Sequence, residues 1–307
     1  MKRILIADKL HPLFREEALK LGYEVDDLPG ITREETLAII GRYSGIAIRT
    51  KFRIDEELIR AGQNLRFIAR AGAGMDNIDL NTAAAQNIVC INAPEGNRDA
   101  VGEHAIGMLL SIMNNLRKAD QEVRNGIWDR EGNRGIELRD RTVAIIGYGF
   151  MGQSFARKLA GFGVQVIAYD KYKTGFSDSF AKEVSMEQIV KQADVLSFHI
   201  PLTRETRQMV DDEYLFHFRK PIILLNTARG EIVNTSAVLN AIESGKIIGA
   251  GLDVLEVEKF PNLDELAWFN QLRNNEKVLL SPHVAGWSVE SYKRISEVLA
   301  EKLRTIR

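Results

Sequence analysis

Hydrophobic and polar positions alternate along the chain in a repeating way. Short apolar runs are separated by amphipathic helical stretches from one end to the other, which is the pattern of parallel sheets built from βαβ units. In the first third the strand-like runs are RILIAD, GIAIRT, LRFIARAG and NIVCIN, separated by the helical PLFREEALKLG, DEELIRAG and LNTAAAQ. From residue 142 the pattern restarts with TVAIIG, VQVIAYD, DVLSFHI, PIILLNTA, IIGAGLDV and VLLSPHV. An α/β protein with two doubly wound parallel sheets is expected. Between the two sets, NRDAVGEHAIGMLLSIMNNLRKADQEVRNG holds a 3.6-residue period for about eight turns, predicting one long helix. The polar IWDREGNRGIELRDR reads as an extended arm or loop, and SVESYKRISEVLAEKLRTIR as an amphipathic helix returning to the first domain. The expected partition is 1–97 completed by 285–307 as one domain, and 98–284 as the other.

Length and charge narrow the picture. At 307 residues the chain exceeds the usual single-domain size. Its 41 Lys and Arg nearly balance 42 Asp and Glu, so no nucleic acid and no acidic membrane is expected as a partner. Small-molecule chemistry is favoured instead. The apolar run in MKRILIADKL ends at Asp8, which suits a first buried strand rather than a leader. No stretch approaches the roughly 20 apolar residues that span a bilayer, and a cytoplasmic location is expected. The single cysteine, Cys90, lies in IVCIN with no cation beside it and reads as a buried structural thiol.

TVAIIGYGFMGQSFARKLAGFG places Gly147, Gly149 and Gly152 in a G-x-G-x-x-G between an apolar strand and a helix. Gly147 permits the tight turn, Gly149 lets backbone amides reach a pyrophosphate, and Gly152 lets helix and strand pack closely. Asp170 closes the next strand, VIAYD. A carboxylate there accepts bonds from ribose hydroxyls and repels a 2′-phosphate, so the expected cofactor is NAD. Lys171 and Lys173 work against that preference, since a phosphate can pair with them.

Three later strands end in candidate chemistry, at the edge where open α/β sheets bind ligands. Arg229 follows IILLNTA; Asp253, Glu256 and Glu258 follow IIGAGL; His283 follows VLLSP. Arginine offers a planar fork to a carboxylate, and histidine is an acid or base near neutral pH. A carboxylate bonded to the imidazole would fix its tautomer. Local sequence does not choose between Glu256 and Glu258. The combination suits hydride transfer between NAD and a 2-hydroxy acid. His199, in SFHIPLT, reads as structural, His11 and His217 as surface or helix positions, and His104 as one polar residue on the long helix. No metal is expected, because no two histidines share ligand spacing on one element. Ser281 and Ser288 flank His283 without a nucleophile-elbow pattern.

IIGYGFMG, HIPLT, LLNTARGEIVN, GAGLDVLEVE and SPHVAG, in this order and spacing, resemble the D-2-hydroxyacid dehydrogenase family over nearly the whole chain. The resemblance implies a flavodoxin-like substrate domain made from both chain ends, a Rossmann NAD-binding domain in the middle, and a homodimer through the NAD-binding domains. It implies that Arg229 grips the substrate carboxylate and carbonyl, that His283 shuttles the proton, and that Asp253 holds the nicotinamide carboxamide. The family pattern D-V-x-x-x-E gives the support of His283 to Glu258 and leaves Glu256 as a loop charge. Along the same motifs, Phe150 and Met151, then Ile200, Pro201 and Thr206, are expected at the cofactor. Thr227, Ala228, His283 and Gly286 join them there.

In the N-terminal part, IRTKFRID, RAGAGMDNID and NAPEGN resemble the phosphoglycerate dehydrogenases of that family. The substrate implied is a phosphorylated 2-hydroxy or 2-oxo acid. Amides around Ala73 and Gly74 would hold its carboxylate, and Arg49 and Arg70 would meet its phosphate, with Arg130 a weaker candidate. The chain departs from the family in having Lys259-Phe260-Pro261 where proline usually follows the supporting glutamate, and Trp287 where small residues usually follow the histidine motif. No regulatory domain like that of the longer phosphoglycerate dehydrogenases is expected, nor serine feedback through one. Alternatives are a glyoxylate or hydroxypyruvate reductase and, in another class, an NAD-sensing corepressor-like binding protein. A formate dehydrogenase would call for glutamine in place of Glu258.

Overall fold

Alternate residues of a strand point to opposite faces of its sheet, and apolar residues at every position therefore mean burial on both sides. The computed structural model, which describes residues 2–306, bears this out in two units. One unit takes the chain up to Arg98 and again from Gly286; the other is Asp99–Ala285.

The first unit holds β1 (Arg3–Ile6), β2 (Glu24–Asp27), β3 (Gly45–Ile48), β4 (Phe67–Arg70) and β5 (Val89–Asn92). They form one parallel sheet in the order β2-β1-β3-β4-β5. This is the flavodoxin-like order, reversing between β1 and β3. Leu5, Ile46, Ile48 and Ile68 face one core. Ile4, Ile6, Ala47, Phe67 and Ala69 face the other, beside Phe14, Ile295 and Leu299. Full burial of each large aliphatic side chain is worth about 1.5–3 kcal/mol. Ile295 and Leu299 belong to the helix Val289–Leu303, which starts with a capping box of Ser288 and Ser291. Lys302 ties its far end to Glu95 and to the Asn92 carbonyl.

The second unit holds β6 (Thr142–Ile146), β7 (Gln165–Tyr169), β8 (Lys182–Glu183), β9 (Val195–Phe198), β10 (Ile222–Asn226), β11 (Ile247–Leu252) and β12 (Val278–Leu280). All are parallel, in the order β12-β11-β10-β9-β6-β7-β8. This is a Rossmann sheet whose order reverses between β6 and β9, so a ligand crevice is expected at the carboxyl ends of those two strands. Among the described residues no helix is long and apolar enough to cross a membrane.

Two expectations need correction. The long helix is two, Pro94–Met113 and Leu116–Arg124. They are separated at Asn115, which takes the left-handed conformation (φ 51) that asparagine tolerates. The Met113 carbonyl is then taken by the amide of Ile136, from the following arm. Cys90 is only half-buried, and burial raises its thiol pKa. His11 stands at the start of a helix, within what is expected of it, and its Nδ1 accepts the amide of Leu13 at 3.2 Å.

Candidate active site

The glycine loop follows β6 at the switch point. Gly147 has φ 92, and a Cβ there would lie 2.6 Å from the His199 carbonyl oxygen and 2.7 Å from Ile200 Cγ2. A Cβ on Gly152 would stand 2.2 Å from the Gly147 oxygen. The turn, the helix Phe150–Leu159 and the segment after β9 thus pack too closely for any side chain. Gly149 is different. It caps that helix, and a Cβ on it would meet nothing within 4 Å. Open space in front of a helix N-terminus fits a pyrophosphate. Phe150 is exposed and Met151 half-buried at the same end.

Asp170 accepts the amides of Tyr148 (2.9 Å) and Tyr172 (3.0 Å), one on each carboxylate oxygen. Each oxygen keeps a further lone pair for a ribose hydroxyl. The neighbouring lysines are both engaged: Lys171 pairs with Glu205 at 2.5 Å, and Lys173 donates to the Tyr148 carbonyl at 2.9 Å. The Tyr148 ring is buried, and its hydroxyl reaches Asp178 at 3.0 Å. Burial and that carboxylate raise the phenol pKa. After β9, Thr206 Oγ1 donates to the Pro201 carbonyl (2.8 Å) and accepts the Thr203 amide (2.7 Å), closing the turn that begins at Ile200. His199 Nε2 bonds Ser197 (2.9 Å), and its ring lies beside Phe155. Burial lowers its pKa to about 4, so it is a neutral structural histidine.

Beyond β10 the chain turns sharply. The buried Asn226 side chain accepts the Ala228 amide (3.1 Å) and donates to the Arg229 carbonyl (2.9 Å). Thr227 Oγ1 is buried without a hydrogen-bond partner. An orphaned hydroxyl at a strand end fits a bound polar ligand. Arg229 donates to the Ala228 carbonyl at 2.6 Å. A Cβ on Gly230 would lie 1.9 Å from the Leu255 carbonyl group, so the Arg229 turn rests directly on the turn after β11.

That second turn separates the two glutamates. Glu258 Oε2 lies 2.8 Å from Nδ1 of His283. A carboxylate accepts only, so Nδ1 carries the proton and Nε2 is left for proton exchange. The Lys259-Phe260 departure does not take Glu258 out of reach. Glu256 is not a loop charge: Oε1 accepts the Thr235 amide (2.7 Å) and Oε2 the Gln208 amide nitrogen (2.8 Å). It holds the start of the helix Thr235–Glu243.

Asp253 is 1% exposed. It accepts Ser281 Oγ (2.6 Å), the Val284 amide (3.0 Å) and the Ala285 amide (2.9 Å). Its carboxylate is thus engaged with the turn that bears His283. His104 joins this group, with Nε2 2.9 Å from Ser281 Oγ. Sequence reasoning missed both, because 177 residues separate the pair. Arg130 is exposed in the arm.

The remaining expected residues lie in the first unit. A Cβ on Gly72 would fall 1.8 Å from Arg70 Nη1, so the glycine leaves room for the guanidinium. Ala73 and Gly74 follow, partly exposed, with the Ala73 carbonyl held by Asn92 at 2.5 Å. Asp8 Oδ2 accepts the amides of Arg49, Thr50 and Lys51 at 3.0–3.1 Å. The Arg49 guanidinium stacks 3.9 Å from the centre of the Trp287 ring. Gly286, beside Trp287, is half-buried.

Comparison with known proteins completes this picture. The model of the D-isomer specific 2-hydroxyacid dehydrogenase NAD binding domain matches residues 106–285. The chain belongs to the D-isomer specific 2-hydroxyacid dehydrogenase family. The matched residues lie in the second unit, and the dinucleotide suited to this family member's glycine loop is NAD. D-3-phosphoglycerate dehydrogenase of Archaeoglobus fulgidus is 34% identical over 98% of the chain and 56% of its own length. The chain thus spans little more than half of that relative. Hydroxypyruvate reductase of Thermotoga maritima is 33% identical over 89% of the chain and 88% of its own. D-lactate dehydrogenase of Aquifex aeolicus, solved with NAD and lactic acid, superposes with a TM-score of 0.83 at 25% identity, covering 99% of this chain and 94% of that one.

Proposed function

We propose that this family member is an NAD-dependent dehydrogenase interconverting a D-2-hydroxy acid and its 2-oxo acid. We further propose D-3-phosphoglycerate and 3-phosphohydroxypyruvate as the pair, a step of serine biosynthesis. The observation that carries the reaction class is the Glu258–His283 pair on the turns that follow two neighbouring strands, with Arg229 on the turn packed against them. NAD supplies the hydride acceptor, or in its reduced form the donor. The other tasks fall to the chain. Arg229 offers its fork to the substrate carboxylate and the reacting oxygen. His283 Nε2 takes the hydroxyl proton in oxidation and returns it in reduction. Glu258 holds the tautomer and stabilises the imidazolium. Gly147, Gly149 and Gly152 shape the pyrophosphate cradle, Asp170 receives the ribose, and Thr227 offers its orphaned hydroxyl.

The phosphate reading rests on Arg49 and Arg70, with Ala73 and Gly74 taking the carboxylate, and on the likeness to the Archaeoglobus enzyme. The Thermotoga relative, matched over most of its own length, favours hydroxypyruvate reduction as a second reading. Exposed Leu116, Val123, Ile127 and Trp128 on and after one helix of the second unit support pairing with a second copy of the chain.

Steady-state reduction by NADH of phosphohydroxypyruvate, hydroxypyruvate, glyoxylate and pyruvate, repeated for Arg70→Ala, tests the substrate. The phosphorylated acid should lead in kcat/KM and lose roughly tenfold or more of that lead in the variant. A lead for hydroxypyruvate that Arg70→Ala leaves untouched establishes the second reading instead.

A further inference from the structure

Ser281 connects the helix Pro94–Met113 to the turn that carries His283. Its hydroxyl lies 2.6 Å from Asp253 Oδ1 and 2.9 Å from His104 Nε2. A carboxylate only accepts, so the one hydroxyl proton goes to Asp253. The serine oxygen must then accept from His104, whose Nε2 is the donor. The bonds run one way, from imidazole N–H to hydroxyl to carboxylate, and bonds aligned in this way reinforce one another. Nε2 is also 3.5 Å from the same carboxylate oxygen.

What this carboxylate holds is the catalytic turn. Val284 and Ala285 donate their amides to Asp253. The amide of His283 donates to the Asp253 carbonyl at 2.7 Å. His283 itself has φ 54, a left-handed conformation that a non-glycine residue keeps only when its surroundings impose it. The amides of His283, Val284 and Ala285 all reach Asp253, although the His283 amide is shared with the Ser281 carbonyl and the His283 ring is held by Glu258.

We propose that His104 is a positioning residue. Through Ser281 it orients the Asp253 carboxylate, and thereby holds residues 281–285 in the conformation that presents His283. This role needs no contact with substrate or cofactor. The effect on turnover rests on the proton-transfer role proposed for His283; the effect on the turn does not.

Two readouts on His104→Leu, His104→Gln, Ser281→Ala and the Leu/Ala double variant test this. The first is amide hydrogen exchange at residues 283–285 in the cofactor-free protein, and the second is kcat and KM for NADH with a 2-oxo acid. His104→Leu should speed exchange at these amides roughly tenfold and lower kcat by a similar factor, with KM for NADH changed less than about twofold. His104→Gln, which keeps a side-chain N–H donor, should recover most of both. The double variant should be about as impaired as the worse single one, because both changes break one chain of bonds. Unchanged exchange in His104→Leu, or losses that add in the double variant, would overturn the proposal. Faster exchange with kcat unaffected in both His104→Leu and His283→Ala supports the coupling to the turn and overturns the role of His283.

Discussion

Glu258 and His283 stand 2.8 Å apart although 25 residues separate them. Glu256, two positions earlier, points its carboxylate at Thr235 and Gln208 instead. Glu258→Gln should therefore lower kcat roughly tenfold or more while leaving the unfolding midpoint almost unchanged. Glu256→Gln should do the reverse, costing about 1 kcal/mol of stability with little change in kcat. Steady-state kinetics and urea denaturation of the two variants check both, and an exchange of their phenotypes would refute the assignment.

Thr227 gives a sharper test of the cofactor site. Its buried hydroxyl lacks a partner in the protein, so Thr227→Val should leave the stability of the free protein unchanged or slightly raised. If the hydroxyl receives NAD, binding of NADH measured by fluorescence should weaken by about tenfold. Unaltered binding would remove Thr227 from the site.

The contact between Gly230 and Leu255 predicts a backbone effect. An added methyl would stand 1.9 Å from the Leu255 carbonyl, so one of the two turns must move. Gly230→Ala should cost about 1–3 kcal/mol and, because Arg229 is the preceding residue, also lower kcat. Full activity at wild-type stability would mean that the turns yield more easily than close packing allows.

His199 makes a prediction about pH. Its pKa falls from an ordinary 6.5 to about 4 on folding, through burial. Between those values the unfolded chain binds the extra proton. The contribution is therefore complete above about pH 6.5 and is lost as pH falls toward 4, at up to about 1.4 kcal/mol per unit. Denaturation at pH 7, 6 and 5 should show wild type losing more stability than His199→Gln. Parallel losses would place the ring in solvent.

The sheets are legible in the sequence wherever both faces are covered, because β1, β3, β4 and the central strands of the second unit then read as unbroken apolar runs. The edge strands β2, EVDD, and β8, KE, carry no such run and are not anticipated. The helix break at Asn115 escapes a periodicity argument for another reason: apolar spacing continues across it, while the turn depends on one residue's tolerance of positive φ. Strand ends explain what can be read of the site. Arg229, Glu258 and His283 each follow a recognisable strand, so topology alone places them at one edge of the sheet. The tether made by Glu256 and the bonds from His104 through Ser281 to Asp253 depend on side-chain directions between distant segments, which no local pattern encodes.

The closeness of Gly230 to Leu255 has an evolutionary side. With Asp253 binding the turn of His283 and Gly230 seated on the turn of Glu258, the turns that carry Arg229, Glu258 and His283 are tied to one another. A substitution in one of these turns has to be matched in the others, which narrows the set of changes this part of the chain tolerates.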